Sequence, residues 1–276
     1  MKREDIKVCI MRVGGTNCDQ ETKRVFDYLK VGAEVVHTNQ FIKGKKDLED
    51  YHVLIFPGGF SYSDYIRAGA IWASSLKTEL GLDLKKFYDE EKPIAGFCNG
   101  FQVLVELGLL PAFNGISEYP EAVLTTNDST KYECRLVYLV PSNKKAIATK
   151  RSEATTKYSL NKIIPLPIGH GEGKFLINNK KLDKLLENDQ IVFRYAKPDG
   201  SIANGEYPYN PNGSLYDIAG ICDPYGTVLG MMPHPERYAF PWQYYDWTRN
   251  PNIDFDREGV GLQIFKNIVD YVERKF

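Results

Sequence analysis

The stretch Pro93-Ile94-Ala95-Gly96-Phe97-Cys98-Asn99-Gly100-Phe101-Gln102-Val103-Leu104-Val105-Glu106-Leu107-Gly108 decides how the rest of the chain is read. Its first five residues form a short apolar run, the pattern of a strand buried on both faces. From Gln102 to Leu107 the spacing continues into an amphipathic helix that stops at Gly108. Between them, Gly96-Phe97-Cys98-Asn99-Gly100 has the form of a strand-to-helix nucleophile elbow with cysteine in place of serine. Glycines on both sides suit a turn with no room for a Cβ. A helix N-terminus favours the thiolate form of Cys98. A lone cysteine is more often an inert core residue, but a strand before it and a helix after it reverse that reading.

Working outward from the elbow, the first 110 residues alternate strand and helix patterns. Lys7–Met11, Glu34–His37 and Val53–Phe56 read as strands. Asp19–Leu29 reads as a helix stopped near Gly32, and a second helical stretch is expected from about Asp64 to Leu80. Buried strands alternating with helices predict an α/β fold with a parallel sheet. From about Tyr132 the pattern changes. The strand candidates Cys134–Val140, Ile163–Ile168, Ile191–Tyr195, Ile218–Cys222 and Val228–Met232 follow one another with little helix between, which predicts an antiparallel extension of the same sheet. Gly259 to Phe276 carries the spacing of an amphipathic closing helix. No repeat or linker is visible, so one domain over 1–276 is expected. The aromatic segment from Tyr238 to Arg257 reads as a long ordered loop, of the kind that is often functional.

Composition narrows the function classes. Across 276 residues, 35 basic and 36 acidic side chains leave a net charge of −1. That balance argues against nucleic-acid binding through a broad basic face and against a polybasic membrane anchor. No run is long enough to span a bilayer. The N-terminus reads as a first strand and not as a signal peptide. Five widely spaced cysteines without a C-x-x-C pair predict reduced thiols in a cytoplasmic protein.

Two further segments carry chemistry. Met232-Pro233-His234-Pro235-Glu236-Arg237 follows a strand, and its prolines fix the backbone around His234. A carboxylate two residues on can orient that histidine, so Cys98, His234 and Glu236 are the candidate triad. Phe56-Pro57-Gly58-Gly59-Phe60 ends the third strand with small residues. Backbone N–H groups of Gly59 and Asn99 are the candidate oxyanion donors. His37 and His52 read as structural. Gly169-His170-Gly171-Glu172-Gly173-Lys174 has the wrong spacing for a phosphate loop, with Phe175 in place of the required hydroxyl. The lysine pairs at 45–46, 144–145 and 180–181 read as solvated surface. No cluster has the sequence spacing of a zinc site, so no metal is expected.

These segments, in this order, resemble the class I (triad) glutamine amidotransferases. Gly15-Thr16-Asn17-Cys18-Asp19, Phe56–Tyr65, Arg67-Ala68-Gly69-Ala70, Cys98–Gln102, His170–Gly173 and His234–Arg237 narrow the resemblance to the glutaminase subunits of phosphoribosylformylglycinamidine synthase. The resemblance implies a flavodoxin-like fold with helices on both faces of a mostly parallel sheet. It implies glutamine as substrate, with Gly58, Gln102, His170 and Gly171 helping to hold it. It implies a separate synthetase subunit, which uses ATP and Mg, and a small bridging subunit as partners; no cofactor is expected on this chain. Ser63 stands where that family usually has glycine, and 141–163 and 239–257 look longer than its compact form. Related cysteine hydrolases of the intracellular-protease type share the elbow but pair it with an upstream glutamate and lack the Pro-His-Pro-Glu segment. A scaffold protein with a degenerate triad is the other alternative, and the presence of all three triad residues counts against it.

Overall fold

The computed structural model describes residues 1–142, 163–251, 254–256 and 258–276. The Lys144-Lys145 pair, Arg257 and most of 141–163 therefore lie outside the described residues. The strands of the main sheet are β1 (Lys7–Arg12), β2 (Gly32–His37), β3 (Val53–Phe56), β4 (Ile94–Phe97), β6 (Glu133–Pro141), β7 (Ile164–His170), β9 (Ile191–Ala196), β10 (Ile218–Cys222) and β11 (Val228–Met231). They stand in the order β2-β1-β3-β4-β11-β10-β9-β6-β7. From β2 to β11 every neighbour is parallel. From β11 through β10, β9 and β6 to β7 every neighbour is antiparallel. The mostly parallel sheet with an antiparallel extension, read from the change of pattern near Tyr132, is what the chain forms. A short antiparallel pair, β5 (Val123–Thr125) with β8 (Lys174–Leu176), was not anticipated.

Side-chain alternation explains the layering. Val8 and Ile10 of β1 belong to one hydrophobic cluster with Val25 and Phe26 of α1 (Asp19–Tyr28) and with the closing helix (Leu262–Lys275). Cys9 and Met11 of the same strand belong to a second cluster with α3 (Ala70–Asp89) and α4 (Asn99–Leu107). Successive residues of a strand point to opposite faces, so helices cover both sides of the sheet. The closing helix alone buries Leu262, Ile264, Phe265, Ile268, Val269 and Val272, each side chain contributing roughly 1.5–3 kcal/mol.

Several elements differ from expectation. The helix expected from Asp64 begins at Ala70 and runs to Asp89. Its start is displaced because Tyr62, Ser63, Asp64 and Ile66 all have positive φ, which a right-handed helix excludes. It continues past Gly81 because Leu84, Phe87 and Tyr88 extend the buried face. A helix over Asn179–Glu187, labelled α5, interrupts the supposed run of strands; the closing helix is then α6. Asn178 caps α5 by accepting the Lys181 N–H at 2.9 Å, and only Leu185 is fully buried, so its apolar signal is thin. After α1, Lys30 (φ 60°) takes the left-handed position expected of Gly32, which opens β2 instead. A four-residue helix, α2 (Asn39–Ile42), also follows β2. Among the described residues, no helix is long and apolar enough to cross a membrane.

Candidate active site

The loops that leave the C-terminal ends of the parallel strands converge, which is where open α/β sheets place their sites. After β4 the chain turns through Cys98 at φ 50° and ψ −109°. Such a backbone costs on the order of 1–3 kcal/mol and persists only where its surroundings enforce it. A Cβ on Gly100 would sit 1.8 Å from the Phe56 carbonyl oxygen, and one on Gly96 would sit 2.5 Å from the Gly100 oxygen. The two glycines let β3, β4 and α4 pack backbone to backbone and so lock the elbow. The Cys98 thiol is buried and donates a long hydrogen bond to the Gly169 carbonyl, 3.5 Å away at the end of β7.

His234 and Glu236 arrive on the loop after β11. The His234 N–H donates to the Pro167 carbonyl at 2.9 Å, which ties this loop to β7. Its Nδ1 lies 2.5 Å from Glu236 Oε1, and both side chains are essentially buried. Burial works against a charged imidazole here. The Glu236 carboxylate, and then the nearby Cys98 thiol, outweigh it and hold the His234 pKa well above its ordinary value. Nε2 is buried without a partner at normal hydrogen-bond geometry, as is common before substrate closes such a site. Gln243 Nε2 holds the Glu236 carbonyl at 3.0 Å, so the aromatic segment braces the triad loop. Within that segment Tyr244 packs on Tyr238, while Trp242, Tyr245 and Trp247 are exposed.

The loop after β3 lies beside them. A Cβ on Gly58 would meet His234 Cε1 at 2.7 Å and Cys18 Sγ at 2.9 Å. Gly59 has φ 147° and pairs with Thr16 of the β1 loop. Asn99 ties this loop to the elbow, its side-chain oxygen accepting the Ser61 N–H at 3.2 Å. As the first residue of α4, Asn99 also has a backbone N–H with no intrahelical acceptor. Gln102, one turn on, accepts from Asn99 Nδ2 at 3.0 Å and donates its own amide to the Glu172 carbonyl. His170 is buried, its Nδ1 3.2 Å from Asn127 Oδ1. Burial and then His234 push its pKa down to about 3, so His170 is neutral. The Gly171 carbonyl accepts the Asn127 N–H at 2.9 Å. The candidate triad, oxyanion and glutamine-holding residues thus fall in one region.

Four neighbours had no role assigned from the sequence, although Cys18, Asp64 and Arg237 lie in the motif segments quoted above. Asn127 fixes His170 and also accepts the Gly173 N–H at 2.9 Å. Asp64, pushed up to about 6 by burial and then by Glu172, stands next to the Asn99 amide. Cys18 lies against His234, and Arg237 donates to its sulfur at 3.2 Å. Asn127 alone has no signal in the sequence, because it reaches the site from a loop outside the quoted segments. His37 and His52 are structural as expected, their Nδ1 atoms accepting the backbone N–H of Asn39 and Lys7.

The family model described as the CobB/CobQ-like glutamine amidotransferase domain matches residues 5–272. The phosphoribosylformylglycinamidine synthase subunit PurQ of Archaeoglobus fulgidus is 44% identical, the match covering 99% of this chain and all of that one. The chain belongs to the PurQ family of glutamine amidotransferases. The PurQ subunit of Picrophilus torridus is 42% identical over 94% of this chain and 96% of its own. Among solved structures, one titled as the structure of PurLQS from Thermotoga maritima superposes with a TM-score of 0.70 at 28% identity, covering 97% of this chain and 99% of that one. This PurQ-family chain is accordingly an enzyme of glutamine amidotransfer that works as part of a complex.

Proposed function

We propose that this chain hydrolyses the side-chain amide of glutamine and hands the ammonia to a synthetase subunit. The observation that carries the reading is the convergence of the buried elbow thiol of Cys98 on the His234–Glu236 pair, whose Nδ1–Oε1 distance is 2.5 Å. The raised His234 pKa supports an imidazolium, which holds the proton that the first step needs. In the first step the Cys98 sulfur attacks the amide carbon. The oxyanion forms where the Gly59 and Asn99 N–H groups can donate to it. His234 gives its proton to the departing ammonia, leaving a glutamyl thioester on Cys98. His234, now neutral, takes a proton from water, which attacks the thioester and releases glutamate. Glu236 holds the ring in one tautomer and stabilises its charged form. Gly58, Gln102, His170 and Gly171 line the approach, and a neutral His170 keeps a second positive charge away from His234.

Thiol, imidazole and carboxylate suffice for this acyl transfer, so the chemistry calls for no cofactor on this chain. ATP and Mg belong to the synthetase, which would convert formylglycinamide ribonucleotide to formylglycinamidine ribonucleotide, with a small bridging subunit completing a cytoplasmic complex. The relative titled PurLQS supports such an assembly. The test is glutamate release from glutamine by the pure chain, alone and with the two partner subunits. Release that rises with the partners is expected; no release from a folded, partner-bound chain would overturn the reading.

A further inference from the structure

Spacing along the sequence predicts no zinc site, yet folding assembles a donor set that spacing hides. One ligand atom each from Cys18, His234 and Glu236 lies within 4.8 Å of the others, and all three residues are buried. With bonds of about 2.0–2.3 Å, the donors of a tetrahedral zinc ion stand roughly 3.3–3.8 Å apart, so shifts of about 1 Å would close this cluster on an ion. Two buried atoms of these residues, His234 Nε2 and Glu236 Oε2, have no hydrogen-bond partner. The triad uses the first, but its chemistry gives no task to the second.

We propose that Cys18, His234 and Glu236 form a site for one borderline-soft divalent cation, Zn2+ or its probe Co2+, that switches the triad off. A thiolate and an imidazole select such ions over Mg2+ and Ca2+. Thiolate and carboxylate together cancel the double positive charge, which a buried site requires. The Cys18 thiol releases its proton to solvent as the metal–sulfur bond forms, because a coordinated thiol is deprotonated. Arg237 touches Cys18 but is neutralised by Glu21, 2.9 Å away. The fourth position falls to water or to Cys98. A ring nitrogen given to the metal cannot also carry the proton that the triad must move, so bound zinc blocks turnover. The switch rests on the triad reading; the binding does not.

The test therefore begins with binding. Metal-free full-length chain carrying Cys98→Ala is titrated with Co2+. One equivalent should bind, with four-coordinate visible bands and a thiolate charge-transfer band in the near ultraviolet. Adding Cys18→Ala should remove the charge-transfer band. It should weaken binding at least as much as loss of an outer-shell partner does, about 10–100-fold. Glu236→Gln should weaken binding but keep the band. No binding by Cys98→Ala, or an unchanged spectrum after Cys18→Ala, would overturn the site. In the reconstituted complex, the ratio of glutamate release with and without Zn2+ is then compared between wild type and Cys18→Ser. Zinc should inhibit the wild type reversibly to chelation, and at markedly higher concentration in Cys18→Ser. Equal inhibition of both would place the ion on Cys98 and His234 alone and overturn the proposal.

Discussion

Two strand-to-helix junctions of this protein each set a buried cysteine against the same imidazole, and they are built differently. Cys18 precedes α1 at the end of the β1 loop, and Cys98 precedes α4 directly after β4. Cys18 has φ −93° and ψ 11°, close to ordinary turn backbone, whereas Cys98 has φ 50°. Side chains hold the Cys18 thiol, with Asn17 Oδ1 accepting from it at 3.2 Å and Arg237 donating to its sulfur, while its backbone N–H donates to the Gly58 carbonyl at 3.1 Å. Backbone against backbone holds Cys98, with Gly96 and Gly100 as the points of contact. A thiol on a strained, backbone-braced turn at a helix N-terminus is placed for attack on a carbonyl. A thiol whose pKa burial raises, against the opposing pull of His234 and Arg237, is not. Proximity to the histidine alone does not make the nucleophile.

The largest expected effect separates the two thiols directly. Cys98→Ala should lower glutamate release by about 10⁴-fold or more, in line with removal of a triad nucleophile. Cys18→Ser should cost about tenfold or less, or roughly 1.4 kcal/mol in the barrier. Comparable losses in steady-state assays of the reconstituted complex would erase the distinction. Next, Glu236→Gln should reduce kcat by about 10²–10⁴-fold at little cost in KM, because the ring loses its fixed tautomer. A KM effect alone would make Glu236 a binding residue.

The bracing can be tested through stability. Gly100→Ala forces a Cβ onto the Phe56 carbonyl and should cost about 3 kcal/mol. Gly14→Ala, in the β1 loop, meets nothing within 4 Å and should stay within about 0.5 kcal/mol. Thermal melts resolve the difference, since 1 kcal/mol shifts Tm by about 2–4 °C in a chain of this size. Equal melts would show that Gly100 is no more tightly enforced than Gly14.

The smallest effect concerns the loop that joins them. Burial and Glu172 raise the Asp64 carboxyl to about 6. The folded state therefore holds this proton more tightly than the unfolded chain does. The resulting stability is complete below about pH 4 and is lost as pH rises through about 6. Asp64→Asn removes that dependence, so the variant should gain on the wild type between pH 4 and pH 7, by about 2–4 °C after allowance for solvent screening. A pH-independent difference in Tm would contradict the sign.

The same contrast explains what was legible in the sequence. Cys98, His234 and Glu236 could be read because each sits in a short segment whose neighbours fix the backbone. The strand-to-helix run through Gly108 and the two prolines around His234 are local signals. The proximity of Cys18 to His234 depends on β1, β3 and β11 lying in one sheet, and no local spacing records that order. Likewise, nothing around Asn127 marks it as the partner of His170. The start of α3 was misplaced because four residues before it adopt left-handed backbone without glycine at those positions. The helix over Asn179–Glu187 was passed over because its lysines dilute an apolar face that buries one leucine.

The central claim is that Cys98, and not its neighbour across the imidazole, attacks glutamine. A glutamine analogue with an electrophilic ketone in place of the amide, incubated with the reconstituted complex and followed by peptide mapping, tests it most directly. One adduct is predicted, on the peptide that carries Cys98, with none on the peptide that carries Cys18 and none when glutamine is in excess. An adduct on Cys18, or glutamine-protected labelling that survives Cys98→Ala, would contradict the account.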